Sequence, residues 1–324
     1  MVKRILNGIK KYKTELDKLS NRICLNPVNL YFDCLWAYIR YGCVINQYIH
    51  GHFYKLRPWE RKRIFTYREW TRIIYKANAE EAIHYMKNKV DFNTFYSDYV
   101  KRDWLYSQEM TREEFDKILS AHFSLIVKPV DGLEGGGIKL INSADILSLT
   151  DAYNTYRQMN VLFEEKICQH PDMIFGNESV NTIRVYTIYD DLVGEVYLLK
   201  TVLRVGIGDS IVDNSHSGGC AYEVDKETGY ITSPSYCANG IVTYIHPKTD
   251  ICMLGRKIPH WDAVVNICID AAKMLPSCRF IGWDVAITSE GPLLIEGNHT
   301  PDLDMIEFVG NHGYKNVIRN HLHL

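Results

Sequence analysis

No two cysteines of this chain form a C-x-x-C pair, although nine are present, at positions 24, 34, 43, 168, 220, 237, 252, 268 and 278. Their odd number and scatter offer neither a disulfide framework nor a zinc knuckle, and they read as reduced, mostly buried thiols of a cytoplasmic protein. Long apolar runs are missing as well. The most suspect stretch, Leu30 to Ile49, is broken by Asp33, Arg40 and Gln47, short of the about 20 apolar residues a membrane span needs. The basic start gives way to Lys10, Lys11, Lys13 and Glu15, which leaves no apolar core for a signal peptide. An excess of charge is lacking: 37 basic residues face 39 acidic ones, so no overall field draws the chain to nucleic acid. His50-x-His52 and His321-x-His323 lack the further ligands of a zinc site. Neither a nucleophile elbow nor a Cys/His catalytic pair stands out. Internal repeats, low-complexity tracts and long linkers are also absent, which implies closely packed lobes.

What is present is concentrated near the C-terminal end. Residues 280 to 298 read as two apolar strands around a Gly-Pro turn, with Asp284, Glu296 and Asn298 among apolar neighbours. Carboxylates in such strands are costly unless a cation or a hydrogen-bond network compensates them, and three oxygen ligands suit Mg²⁺. Glu296 and Asn298, two apart, share a strand face. Asp284 joins them only if the connection has an odd length or one strand carries a bulge.

The rest of the chain, 46% hydrophobic over 324 residues, suffices for one large core or two to three lobes. From Met1 to about Asn88 the pattern is helical, with Leu30, Cys34, Tyr38 and Tyr41 at helix spacing. The basic run from Arg57 to Arg68 carries Trp59, Phe65 and Tyr67 between charges, and suits either a packed lobe with snorkelling stems or a surface for a glycan, a membrane or a partner. Helical spacing resumes over Phe92 to Leu105, and Thr111-Arg-Glu-Glu114 predicts a capping box. Strands are expected at 124–129, 138–141, 161–163, 182–189 and 193–205, with helices at 145–159 and 261–274.

Between the first two strands lies Asp131-Gly-Leu-Glu-Gly-Gly-Gly137, close behind Lys128. Its run of backbone N–H groups beside an ammonium suits a phosphate, although a glycine-rich hairpin tip also makes an ordinary turn. No Gly-Lys-Ser/Thr follows, as a P-loop requires, and a strand follows where a dinucleotide fold needs a helix. Lys200 and Arg204 lie four apart on one strand face and Arg184 on the preceding strand, either a clamp for a triphosphate or a solvated face. Asn181-Thr182, Asp213-Asn214 and Gly218-Gly219 add polar groups, and His216 is either a base or a surface histidine.

In order along the chain, strand-Lys128-Pro129-glycine loop, Glu164-Glu165-Lys166-Ile167, Asn181-Thr182-x-Arg184 and Asp284…Glu296-x-Asn298 resemble the ATP-grasp superfamily. Together with Asp213-Asn214…Gly218-Gly219, His246-Pro-x-Thr249, Gly282-Trp-Asp284 and Glu296-Gly-Asn298, the set is most similar to the sugar-transfer-associated ATP-grasp family, over roughly Tyr31 to His312. The resemblance implies an α+β ATP-grasp fold in which two α+β lobes sandwich ATP. A helical lobe (1–88) would precede the lid (89–166) and the core with its metal site (167–324).

On that resemblance, Gly132, Gly135, Gly136 and Gly137 close over the phosphates, Lys128 touches the α and β phosphates, and Lys89 matches a second nucleotide-binding lysine. Glu164, Glu165, Lys166 and Ile167 form the hinge for adenine, with one acidic side chain available to the ribose. Asp284, Glu296 and Asn298 bind Mg²⁺. Arg184, Lys200 and Arg204 serve catalysis at the transferred phosphoryl group and the substrate carboxylate, and Asp213, Asn214, Gly218 and Gly219 contact substrate. The implied activity is that of an ATP- and Mg²⁺-dependent carboxylate–amine ligase working through an acyl phosphate. Its partners would be a small carboxylate and an amine, including a carboxylated sugar, sugar nucleotide or glycan of surface-polysaccharide assembly, with no nucleic acid. One departure is Asp302 after Pro301, where related ligases often carry glycine, and it bears on the acceptor pocket. A kinase transferring phosphate to a hydroxyl, and a silent nucleotide- or glycan-binding partner of a glycosyltransferase, are the alternatives.

Overall fold

The computed structural model describes residues 2–131, 136–176, 179–207, 219–237 and 242–324. They form two compact units, Met1–Lys76 with Asp302–Leu324, and Ala77–Pro301. The chain opens with five helices, α1 (Val2–Ile23), α2 (Pro27–Tyr41), α3 (Ile45–His50), α4 (Pro58–Arg63) and α5 (Tyr67–Ala77). Sequence signals set the ends of α2: the Asn26 side chain accepts from the Val28 N–H, Pro27 fills the first turn, and Gly42 closes the helix at φ 75°. Leu16, Leu19, Leu30, Ala37, Tyr48, Phe53 and Ile64 form this unit's core. The chain's last helices, to be labelled α12 (Leu303–Phe308) and α13 (Lys315–Leu322), belong to the same unit. Buried Glu307 ties them in by accepting from the backbone N–H groups of Phe65 (2.9 Å) and Gly313 (2.7 Å).

The second unit carries α6 (Glu80–Lys87), α7 (Lys89–Phe95), α8 (Ser97–Val100), α9 (Arg112–Ala121), α10 (Leu149–Arg157) and α11 (Trp261–Met274) around two antiparallel sheets. The smaller sheet has the order β1-β4-β2-β3, from β1 (Trp104–Tyr106), β2 (Ser124–Pro129), β3 (Lys139–Asn142) and β4 (Val161–Glu165). The larger has the order β10-β9-β5-β6-β7-β8, from β5 (Thr182–Asp190), β6 (Glu195–Val205), β7 (Cys220–Val224), β8 (Tyr236–Cys237), β9 (Phe280–Thr288) and β10 (Gly291–Asn298). Thr111 and Glu114 form the expected capping box, and the helix predicted at 261–274 is α11.

Two expectations are overturned. Helix does not run through Leu105: it stops at Val100, and Leu105 lies in β1, where pairing with Phe163 outweighs the local helical spacing. Nor are all the thiols reduced and mostly buried. Cys220 and Cys237 oppose each other across β7 and β8 and form a disulfide, while Cys24, Cys168 and Cys252 are exposed.

Each sheet has one apolar face. On the larger sheet Ile183, Val185, Leu203, Val205, Tyr222, Trp283 and Val285 point one way and pack with Val264, Cys268 and Ala271 of α11. On the smaller one Leu125, Val127 and Phe163 pack with Phe115, Ile118 and Leu119 of α9. Strand alternation then sends the intervening residues to the opposite faces, where the polar side chains gather.

Candidate functional site

Directly opposed residues of an antiparallel ladder share a face, so the registers assemble a row. Glu296 opposes Asp284, Asp284 opposes Arg184, Arg184 opposes Val202, and Val202 opposes Glu223. Lys200 and Arg204 flank Val202, and Asn298 lies beside Glu296 opposite Gly282. Four strands thus bring Arg184, Lys200, Arg204, Asp284, Glu296 and Asn298 onto one face, and β7 adds Glu223. What makes this possible is a bulge: the register slips between Leu294 and Glu296, so Ile295 is the extra residue. Without it, Ile295 would oppose Asp284 and Glu296 would turn to the apolar face.

Asp284 is buried and doubly paired. Arg184 donates from Nε to Oδ1 and from Nη2 to Oδ2 at 2.9 Å, and Arg204 Nη1 donates to Oδ2 at 2.8 Å. Burial by itself would raise the Asp284 carboxyl, but the two guanidiniums hold it well below the usual carboxylate range. Glu296 behaves oppposite in sign: burial and the adjacent Asp284 charge raise its carboxyl. Asn298 Nδ2 donates to Glu296 Oε1 at 3.2 Å. Lys200 Nζ lies 3.7 Å from Glu223 Oε1. The three cations are buried, so the solvated-face reading of Arg184, Lys200 and Arg204 does not hold. Glycine gives Arg184 its space: a Cβ on Gly282 would come within 3.2 Å of Arg184 Cδ.

The smaller sheet supplies a second cluster. Lys128 and Glu164 lie on the face away from its core, with Lys128 Nζ 2.7 Å from Glu164 Oε2. Arg102 Nη2 donates to Glu164 Oε1 at 2.8 Å and Asn93 Nδ2 at 3.0 Å. Burial would push Glu164 up, yet Arg102 and Lys128 bring its carboxyl down to about 2. Lys128 is itself lowered, first by burial and then by Arg102, because a single carboxylate serves two cations. Lys89 adds a third positive charge, its Nζ donating to the Val130 carbonyl at 3.1 Å. It too is lowered, by burial and by Lys128. A buried surplus of cations is a receptor for an anion.

Arg102 was not foreseen, because between Lys101 and Asp103 it looks like a surface charge. In fact it is buried, and it also donates to the carbonyls of Leu294 (2.6 Å) and Ile295 (3.4 Å). One guanidinium therefore links the β10 bulge to Glu164 in the other sheet. Asn93 and Glu223 were likewise unforeseen and carry no local signal.

Of the other sequence candidates, Glu165 is partly exposed and accepts from the Asp103 N–H at 3.2 Å, Lys166 is exposed and Ile167 half-buried. Since Glu164 is buried and fully engaged, Glu165 is the acidic side chain of this segment with access to solvent. Gly136 and Gly137 are exposed, Gly137 at φ 80°, and Gly219 is buried beside Cys220. Gly132, Gly135, Asp213, Asn214, His216 and Gly218 lie outside the described residues.

The residues fit a divalent cation. Asp284, Glu296 and Asn298 offer hard oxygen donors from one face, and the raised Glu296 carboxyl marks negative charge that a cation would compensate. Asp284 Oδ2 already accepts from both guanidiniums, whereas Oδ1 accepts from Arg184 alone among the described hydrogen bonds and is the oxygen with a further lone pair for a cation.

The solved structure of the ATP-grasp ligase PsnB with a phosphomimetic precursor variant, Mg and ADP is similar at 16% identity and a TM-score of 0.47, over 76% of this chain and 61% of that one. D-alanyl-alanine synthetase A from Vibrio cholerae is similar at 15% identity and a TM-score of 0.48, over 76% of this chain and 68% of that one. The chain spans less than two thirds of the length of PsnB. No curated protein matches it significantly. The profile of the family described as "Sugar-transfer associated ATP-grasp" matches residues 68–322, most of the chain, which therefore belongs to the sugar-transfer-associated ATP-grasp family and has the α+β ATP-grasp fold.

Proposed function

We propose that this chain is an ATP- and Mg²⁺-dependent ligase that joins a carboxylate to an amine through an acyl phosphate, modifying a carboxylated sugar or attaching an amino acid in surface-polysaccharide assembly. One observation carries the reading: a cation-rich cluster (Lys89, Lys128, Arg102) and an oxygen-ligand cluster (Asp284, Glu296, Asn298) joined through Arg102. In this reading Lys128 and Lys89 hold the nucleotide phosphates, the segment Glu164–Ile167 borders the adenine with Glu165 toward the ribose, and the glycines of 132–137 cover the phosphates. Arg184 and Arg204 neutralise charge on the phosphoryl group in flight, with Lys200 beside them, and Asp213, Asn214, Gly218 and Gly219 meet the acceptor. Bound at Asp284, Glu296 and Asn298, Mg²⁺ would neutralise phosphate charge and orient the phosphates. The lid and core would be 89–166 and 167–324.

A carboxylate is a poor electrophile because oxide is a poor leaving group. Its oxygen attacks the γ-phosphorus and ADP leaves; the amine nitrogen then attacks the carbonyl carbon, phosphate leaves and the nitrogen loses a proton. Charge compensation and the exclusion of water take the place of an enzyme nucleophile. The test is ADP and phosphate release across uronic-acid sugar nucleotides and an amino-acid panel. Phosphate release that needs both a carboxylate and an amine is the expected result. Transfer of phosphate to a hydroxyl without free phosphate would overturn it in favour of a kinase. Glu296→Gln is expected to lower turnover at least about a hundredfold, on the scale of lost electrostatic stabilisation, while the melting temperature holds.

A further inference from the structure

The most unusual surface of the first unit is α2. Its buried side is Leu30 and Ala37. On the opposite side, at spacings of four, three, one and three, stand Val28, Phe32, Leu35, Trp36 and Ile39, each more than half exposed, with Phe32 at 69% and Ile39 at 61%. Single exposed apolar residues are ordinary; a contiguous helical stripe of five is not, and a helix that is apolar all round normally lies buried.

The charges around the stripe are mostly positive, with Asp17, which accepts from the Tyr31 hydroxyl at 2.7 Å, as an exception. The helix's only acidic residue, Asp33, is turned aside into a two-pronged pair with Arg61 (2.7 and 2.8 Å) and accepts from Tyr48. Arg40 is exposed at its C-terminal end, Arg68 lies 5.2 Å from the Tyr38 ring beside the stripe, and Lys13, whose carbonyl accepts from Tyr31, is exposed on α1. A groove of about 340 Å³ lined by Tyr12, Leu16, Tyr31, Leu35 and Tyr38 continues the apolar surface, rimmed with tyrosine. Over the whole unit, eighteen Lys and Arg stand against eight Asp and Glu; Ala77–Pro301 has nineteen against thirty-one. Balance in the total charge conceals a strongly basic unit that carries an apolar face.

We propose that α2 docks the protein onto an anionic phospholipid surface, with Val28, Phe32, Leu35, Trp36 and Ile39 entering the headgroup boundary and Lys13, Arg40 and Arg68 facing lipid phosphates. At 15 residues α2 is about 22 Å long, too short to span the about 30 Å hydrocarbon layer, and no described helix is long and apolar enough to cross a membrane. Docking is therefore peripheral. A second copy is a poorer occupant, because a two-fold contact through this face would set like charges against each other, whereas an anionic bilayer complements them. Tryptophan and tyrosine also favour such an interface over bulk water. The inference does not depend on the ligase assignment.

The test is co-sedimentation of the full chain with vesicles of phosphatidylcholine containing about one third phosphatidylglycerol, against pure phosphatidylcholine; partitioning at least about tenfold stronger on the anionic vesicles is expected. Raising salt to about 1 M, where the Debye length is about 3 Å, should weaken it. The double variant Phe32→Gln with Trp36→Gln should lose about tenfold while melting as the wild type does, since both side chains are solvent-exposed. Trp36→Phe should keep binding but remove the vesicle-induced blue shift of emission. Equal partitioning of wild type and double variant, or none at all, would overturn the proposal. So would a dimer in light scattering that the double variant abolishes while neither protein binds vesicles, which would assign the stripe to a second copy.

Discussion

Lys128 and Arg102 share a single carboxylate, Glu164, and this imbalance gives Lys128 a distinct experimental signature. Lys128→Ala leaves Glu164 paired with Arg102 and Asn93, so the local structure should persist. If Lys128 holds phosphate, the loss is a charged hydrogen bond worth about 1.5–3 kcal/mol, and the nucleotide Kd should rise roughly 10- to 100-fold. Calorimetry with a non-hydrolysable ATP analogue reads this directly, and wild-type affinity would refute the role. The same reasoning ranks the metal-site substitutions. Asp284→Asn would strand two buried guanidiniums at a cost of about 3–5 kcal/mol, so lost activity could follow from lost folding. Glu296 carries no such guanidinium pair among the ion pairs described, which makes Glu296→Gln the cleaner probe.

At the level of single elements, the site hangs on the extra residue Ile295. Opposite it, Leu294 faces Val285 in the core and Glu296 faces Asp284, so the bulge absorbs one residue between two fixed pairings. Deleting Ile295 should leave Leu294 opposite Val285 and Glu296 opposite Asp284 in a regular ladder. Inserting one alanine after Ile295 should, in a regular ladder, keep Glu296 on the polar face but move it two residues along, from Asp284 to Gly282, with Ile295 in its place. Mg²⁺-assisted nucleotide binding is therefore expected to survive the deletion and to be lost on insertion, as measured by titration with and without Mg²⁺. Loss in both variants would show that register is not what assembles the site. The sequence stated the condition, an odd connection or a bulge, and could not choose between them, because the choice rests on the carbonyls of Leu294 and Ile295 meeting Arg102, nearly two hundred residues away. β1 is a similar case: three residues with helical spacing become a strand because β4 offers backbone partners.

Across the whole molecule, the buried ion pairs of Ala77–Pro301 set its response to acid. Despite its burial, Arg102 and Lys128 bring the Glu164 carboxyl of the folded chain down to about 2 from its ordinary 4.5. A carboxyl lowered by folding contributes stability that is complete above the unfolded value and is lost as pH falls through the folded one. Unfolding of this unit by urea should therefore be insensitive to Glu164 above about pH 5 and should become easier between about pH 4.5 and 2. Glu164→Gln, measured over the same range, should flatten that part of the profile; an unchanged slope would remove Glu164 from the account.

Pattern alone located a helical region, α11 and most strands, and the resemblance of the ordered motifs, with Lys128, the glycine loop and the Asp284–Asn298 hairpin among them, implied two α+β lobes and an ATP-grasp chain. These are local properties, written in spacing and in motif order. Only the tertiary structure decided that Arg102 bridges the two charged clusters, that Cys220 meets Cys237, that the bulge turns Glu296 toward Asp284, and that the apolar side of α2 stays in solvent. Each depends on which distant segment arrives as a partner. Helical periodicity says how many apolar faces a helix has, and it takes the packed chain to leave one of them uncovered.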